Sequence, residues 1–216
     1  MKDPVNSYWK KRLTDLRKNL EENNFEVFVA ESAAEAKDIV LNTILPQIQF
    51  KTVSWGGSMT FGSTGIADIF KDGPATVINP YERNISPEDA YERRRQALLS
   101  DLYFTGTNAI TEDGHLVNLD MTGNRVGALN FGPKNVIVLI GRNKIVAGLE
   151  EAMMRIKNFA SPANAMRLDK KTPCTTTSIC QDCKSPERIC NVWTITEKSY
   201  PKKRIKIVLI NQDLGL

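Results

Sequence analysis

Short apolar runs alternate along this chain with stretches of helical periodicity. Val5 to Asn23 carries Tyr8-Trp9, Leu13, Leu16 and Leu20 at helical spacing, which predicts an amphipathic helix ended by Asn23-Asn24. Phe25 to Val29 reads as a short strand. Ser32-x-x-Glu35 is a capping box, and the helix it opens runs to about Leu45, before Pro46. Thr52 to Trp55 is the next strand; it ends at Gly56-Gly57-Ser58, and a helix follows through Ile66 to Phe70. Ala75 to Ile78 reads as a strand and Pro87 to Leu99 as a helix opened by Ser86. Leu102-Tyr103-Phe104 and Val136 to Ile140 read as buried strands, Ala147 to Phe159 as a helix, and Ile205 to Ile210 as a closing strand. The order is βαβα with short connections. It predicts one α/β domain over residues 1–216, a three-layer sandwich of helices about a mainly parallel sheet that includes Val53, Phe104 and Val138.

Composition narrows the class. Of 216 residues, 41% are hydrophobic and 25% charged, enough for a core under an ordinary soluble surface. The longest apolar runs fall far short of the roughly 18 residues of a membrane span. The start, MKDPVNSYWKKRL, lacks the apolar centre of a signal peptide, so a cytoplasmic protein is expected. The net charge of +4 is mild. Arg93-Arg94-Arg95 falls on a helix and Lys202-Lys203-Arg204 leads into a strand; neither is interleaved with aromatic residues. They read as solvated faces, and a nucleic-acid reader is not expected.

Candidate chemistry concentrates between Asp101 and Gly141. Here two buried strands bracket a segment dense in Gly, Asn, Thr and acidic residues. Asp113-Gly114, between Ala109-Ile110 and Leu116-Val117, is a hairpin turn pair. Glu112 is the candidate base or nucleophile, because its neighbour Asp113 serves the turn and adjacent hairpin residues point opposite ways. His115, the only imidazole, is a second candidate base, or an exposed residue just past the turn. Asp120 is a third carboxylate. Gly106, Asn108, Asn118 and Asn124 are candidate ligand contacts. Arg125 either grips a ligand carboxylate bidentately or pairs with Asp120. The strand-to-helix turn Gly56-Gly57-Ser58 offers free backbone N–H groups to an anion, or is simply a tight turn capped by Ser58.

Ser161 to Tyr200 breaks the composition, and all four cysteines fall there: Cys174, Cys180, Cys183 and Cys190, spaced C-x5-C-x2-C-x6-C. In a reducing compartment disulfides are the weaker reading. Four thiolates suit tetrahedral zinc or a [4Fe–4S] cluster, although the spacing matches neither the common ferredoxin run nor paired zinc knuckles. Redox-active or merely structural thiols are the other readings.

The run TGTNAITEDGHLVNLD, followed by G-N-R and an apolar strand, resembles the LUD family, named for lactate utilisation, and the likeness extends from the first helix to Leu216. It also resembles a broader group containing ribose-5-phosphate isomerases, glucosamine-6-phosphate deaminases and CoA transferases. This resemblance implies a Rossmann-like sheet ending in a Gly-rich ligand loop, with the Gly56–Ser58 turn in the cleft. It implies an accessory or electron-transfer component of lactate or 2-hydroxy-acid oxidation, acting beside iron–sulfur or flavin oxidoreductases, which favours the cluster over zinc. The alternative it implies is an isomerase- or transferase-type enzyme acting on a phosphorylated or carboxylated small molecule.

Overall fold

A computed structural model of the protein describes residues 3–216. The chain runs α1 (Pro4–Glu22), β1 (Glu26–Ala30), α2 (Ala33–Ile39), β2 (Thr52–Trp55), α3 (Met59–Thr64), β3 (Thr76–Ile78), α4 (Pro87–Ala97) and β4 (Leu102–Thr105). It continues through β5 (Ala109–Thr111), β6 (Leu116–Asp120), α5 (Asn124–Asn130), β7 (Asn135–Gly141), β8 (Ile145–Val146) and α6 (Leu149–Arg155). It closes with α7 (Ser161–Arg167), α8 (Pro173–Thr177), β9 (Val192–Thr196) and β10 (Ile205–Ile210). Side chains set the helix starts: Ser32, Ser58 and Ser86, as expected, and also Asp3 each accept a backbone N–H in the first turn of α2, α3, α4 and α1 respectively.

Six strands form one parallel sheet in the order β1-β10-β7-β4-β2-β3. Its central strands are buried on both faces, which explains their unbroken apolar runs. Val136, Val138 and Ile140 of β7 pack towards the core under α1 and α5; Ile137 and Leu139 pack into the opposite core with Phe61, Phe70 and Phe104. Strand β10 divides in the same way, Ile205, Ile207 and Leu209 to one core and Val208 and Ile210 to the other. This period-of-two division places a helical layer on each face and gives the expected three-layer α/β sandwich. Among the described residues no helix is long and apolar enough to cross a membrane.

The polar segment after β4 departs from a simple hairpin. Strands β5 and β6 do form the antiparallel hairpin across the Asp113-Gly114 turn, but they belong to a second sheet, ordered β8-β5-β6-β9. Ala109, Val117 and Leu119 of this sheet pack on Ala152 and Ile156. Helix α5 lies where Gly123 and Gly127 made the sequence read as loop. Arg204 secures its end by donating to the carbonyls of Ala128 and Leu129 at 2.6 and 2.7 Å. The Lys202–Arg204 run is therefore only in part the solvated face expected of it.

The connection after β2 leads outward to β3, whereas that after β4 leads the other way to β7. The loops thus diverge at the carboxyl ends of the adjacent strands β2 and β4, where open parallel sheets form a crevice.

Ile137 is fully buried and Leu99 is 84% exposed. Ile137→Ala is expected to destabilise the fold by about 2–5 kcal/mol and Leu99→Ala by less than about 0.5 kcal/mol. Urea unfolding of both variants, compared with the parent, measures the difference.

Candidate functional site

The crevice holds a cavity of about 220 Å³. Gly57, Ser58 and Met59 line it after β2, Tyr81 after β3, and Gly106, Thr107 and Asn108 after β4. Asp120, Asn124 and Arg125 close it from the second sheet and α5; Lys144 enters after β7, and Asn164 and Arg167 come from α7. The two loops singled out in the sequence touch. A Cβ placed on Gly106 would stand 2.5 Å from Ser58 Oγ, so only glycine allows this approach. A Cβ on Gly56 would meet Tyr103 Oη at 2.7 Å and Arg125 Cγ at 3.1 Å. Gly56 therefore lies behind the cavity wall, where its missing side chain makes room for Arg125.

Arg125 is almost fully buried and directs its hydrogens at protein acceptors. Nε donates to Asp120 Oδ1 at 3.3 Å, Nη1 to the Gly106 carbonyl at 3.2 Å and to Asn118 Oδ1, and Nη2 to Asn108 Oδ1 at 2.8 Å and the Leu119 carbonyl at 3.4 Å. Of its two expected roles, the geometry matches the pairing with Asp120. The guanidinium ties the β4–β5 loop to β6, and a bound carboxylate would have to displace these partners. Asn118, fully buried, sits behind it, its Oδ1 also accepting from Thr107 Oγ1 and Asn108 N. Asp120 reaches the cavity while its Oδ2 accepts from Gly123 N at 3.1 Å.

Glu112 and His115 lie apart from this cavity, at the tip of the β5–β6 hairpin against α1. The exposed Glu112 carboxylate pairs with Arg12 at 2.5 Å, and its carbonyl accepts from Asn19 at 2.7 Å. His115 Nδ1 stands 3.4 Å from Asp113 Oδ2. The hairpin carries these two residues away from the carboxyl ends of β2 and β4, and neither lines the crevice cavity. The catalytic positions assigned to them from the sequence do not match this placement.

Three cationic contributors, Lys144, Arg94 and Arg167, went unread in the sequence. Lys144 is 4% exposed, and its Nζ donates to the Thr107 carbonyl at 3.0 Å. Burial, then the charges of Arg155 and Arg125, push its pKa down to about 7. The signal was a lysine held between a buried strand and the apolar pair Ile145-Val146. Arg94, from the basic run on α4, lies over the Tyr81 ring and faces the cavity. With Asp120 paired to Arg125, the cationic groups that face a ligand are Arg94, Lys144 and Arg167, the last also donating to Asn164 Oδ1, with Ser58 and Asn124 among the neutral polar groups beside them. The phenol of Tyr103, beneath the site, is held protonated well above its ordinary range, chiefly by burial.

A family profile described as the LUD domain matches residues 13–210. The chain belongs to the LUD domain family. The crystal structure of a DUF162 family protein from Deinococcus radiodurans is similar in fold, with a TM-score of 0.50 at 13% identity, over 94% of this chain and 98% of that one. A further likeness, to eIF2B delta from Chaetomium thermophilum, has a TM-score of 0.31 at 19% identity over 54% of this chain and 50% of that one. The search of curated proteins gives no match. In this LUD domain the LUD-like TGTNAITEDGHLVNLD run supplies one wall of the crevice through Gly106, Thr107, Asn108 and Asp120, and its middle part forms the distant hairpin tip.

The four cysteines are free thiols. All of them line a second, smaller cavity together with Lys157, Asp182 and Arg188. Among the described residues no three His, Cys, Asp or Glu side chains are assembled closely enough to hold a metal ion as they stand.

Because Arg125 joins two loops and Arg94 joins none, their substitutions should separate. Arg125→Met is expected to cost about 3–5 kcal/mol of stability, as a broken buried pair does, and Arg94→Ala about 0.5 kcal/mol or less. Equilibrium unfolding in urea reads both.

Proposed function

We propose that this LUD domain binds a small carboxylate- or phosphate-bearing metabolite in the crevice and moves a proton on it, as an isomerase- or transferase-type enzyme does. The observation that carries this reading is the amine of Lys144, buried in the cavity among cationic groups. A lysine in that setting is uncharged for part of the time near neutrality and so can accept a proton. Arg94 and Arg167 attract the anionic end of the ligand, and Ser58 and Asn124 supply neutral donors. Asp120, one oxygen on Arg125 and the other on a backbone N–H, is a fixed carboxylate beside the reacting atoms. A 2-hydroxy acid is a substrate of suitable charge and size, which keeps the lactate reading of the family within the same site. An accessory role in its oxidation is the second reading, favoured by the thiols next to the cavity.

The test uses a panel of phosphates and short 2-hydroxy and 2-oxo acids. Binding is read from the shift in unfolding temperature, and proton transfer from exchange of ligand C–H for solvent deuterium. A member of the panel should stabilise the protein, and Arg94→Ala with Arg167→Ala should remove that stabilisation. Lys144→Met should slow exchange by about 10²–10⁴-fold while leaving binding in place. Exchange should rise with pH through about 7, as the amine loses its proton. Binding without exchange at any pH would leave a binding protein in place of an enzyme.

The same lysine makes a separate prediction about stability. Its folded pKa, about 7, lies below its ordinary value of 10.5. Below about pH 7 the amine is charged in both states, and the folded state bears the full cost. Between those two values the unfolded chain holds the extra proton, so stability rises with pH by up to about 1.4 kcal/mol per unit. Lys144→Met should abolish this rise in urea titrations between pH 7 and 10.

A further inference from the structure

We propose that Cys174, Cys180, Cys183 and Cys190 form a four-thiolate metal centre in the wall beside the ligand crevice. Cys174 is presented by α8, and the other three by the irregular segment 178–191 that leads to β9. The fold brings all four to one cavity, although they come from a helix and separate points of a loop. Its free space, about 20 Å³, admits roughly one water-sized body, which is the scale of a single ion.

The surroundings suit an anionic thiolate site. Arg188 staples the segment: Nη1 donates to the Cys183 carbonyl at 2.6 Å, Nε to the Cys190 carbonyl at 2.8 Å, and Nη2 to Asp182 at 3.0 Å. Lys157 holds the same Asp182 oxygen at 2.8 Å. Asp182 is thereby occupied and does not compete as a ligand. Four thiolates on one Zn²⁺, or on a [4Fe–4S]²⁺ cluster, leave a net charge of about −2, which Lys157 and Arg188 offset. Thr172 Oγ1 lies 3.2 Å from Cys174 Sγ, a hydroxyl able to donate to the thiolate.

The thiols have yet to converge on a point. Zn–S bonds of about 2.3 Å require sulfurs roughly 3.8 Å apart. A cluster, binding each cysteine through a different iron, holds them farther apart and needs the segment to open outwards. A cysteine has one side-chain torsion, so rotation about χ1 with small loop movement is the adjustment a zinc ion demands. The shared chemistry is tetrathiolate ligation, and the experiment assigns the metal.

The full chain is purified under anaerobic conditions and assayed for zinc, iron, acid-labile sulfide and visible absorbance. About one zinc per chain in colourless protein establishes the zinc form. About four irons with matching sulfide and a broad brown absorbance establish the cluster form. In either form Cys183→Ser and Cys190→Ser should lose the metal and lower the unfolding temperature. Should those variants fail to fold, thiol labelling of the native parent decides: bound metal protects all four cysteines until a chelator is added. The proposal is overturned if the protein holds neither metal after purification and after reconstitution with zinc or with iron and sulfide, while its four thiols label freely in the folded state. Metal content is read without any ligand in the crevice, so this result is independent of the proton-transfer reading.

Discussion

The crevice depends on a buried guanidinium. Arg125 gathers the Gly106 carbonyl, Asn108, Asn118, the Leu119 carbonyl and Asp120 around one planar group. The parallel sheet ends its strand at Thr105, and the second sheet begins at Ala109. Nothing in β-sheet pairing fixes the angle between those sheets. The five N–H groups of arginine do so by satisfying loop carbonyls and amides that would otherwise be buried without partners. The missing side chain of Gly56 is part of the same arrangement, since it leaves the volume the arginine stem occupies. Rigidity at this joint is what keeps Asp120 and the β4–β5 loop at a fixed distance from the β2–α3 turn.

That joint also sets the electrostatics. An arginine saturated by protein acceptors still carries its charge, and this charge acts on Lys144 with that of Arg155. Burial disfavours the lysine cation and both guanidinium groups repel it, so the causes work in one direction. Two kinds of cation therefore meet in one cavity: locked ones that shape and polarise it, and more exposed ones, Arg94 over the Tyr81 ring and Arg167 held on Asn164 Oδ1, at its rim.

The parallel core was legible because β7 and β10 are buried on both faces and so carry uninterrupted apolar runs. Capping residues made the first turns of α2 and α4 readable in the same way. The second sheet was not legible: β8 is two residues long, and β9 lies in a segment whose partners are some seventy residues away in sequence. Helix α5 was hidden by its glycines and asparagines, since propensity is a weak prior once Arg204 closes the last turn. At the site, the resemblance placed the Gly56–Ser58 turn in the cleft, and Gly57 and Ser58 do line the crevice. Glu112 and His115 looked functional because they sit in the polar run, but a hairpin projects its turn away from the sheet end that bears it. Lys144 was missed because its meaning lies in burial, and a lysine followed by Ile145-Val146 says little about depth.

Ser161 and Ile189 face both cavities, one wall serving two rooms. Both are nearly inaccessible to solvent, and Ile189 stands between Arg188 and Cys190 in the chain. In a close-packed interior a side chain displaced from one side must intrude on the other, because there is no slack to absorb it. A change of volume on the sulfur side of this wall would therefore press on Ser161 and Ile189, and through them on the crevice.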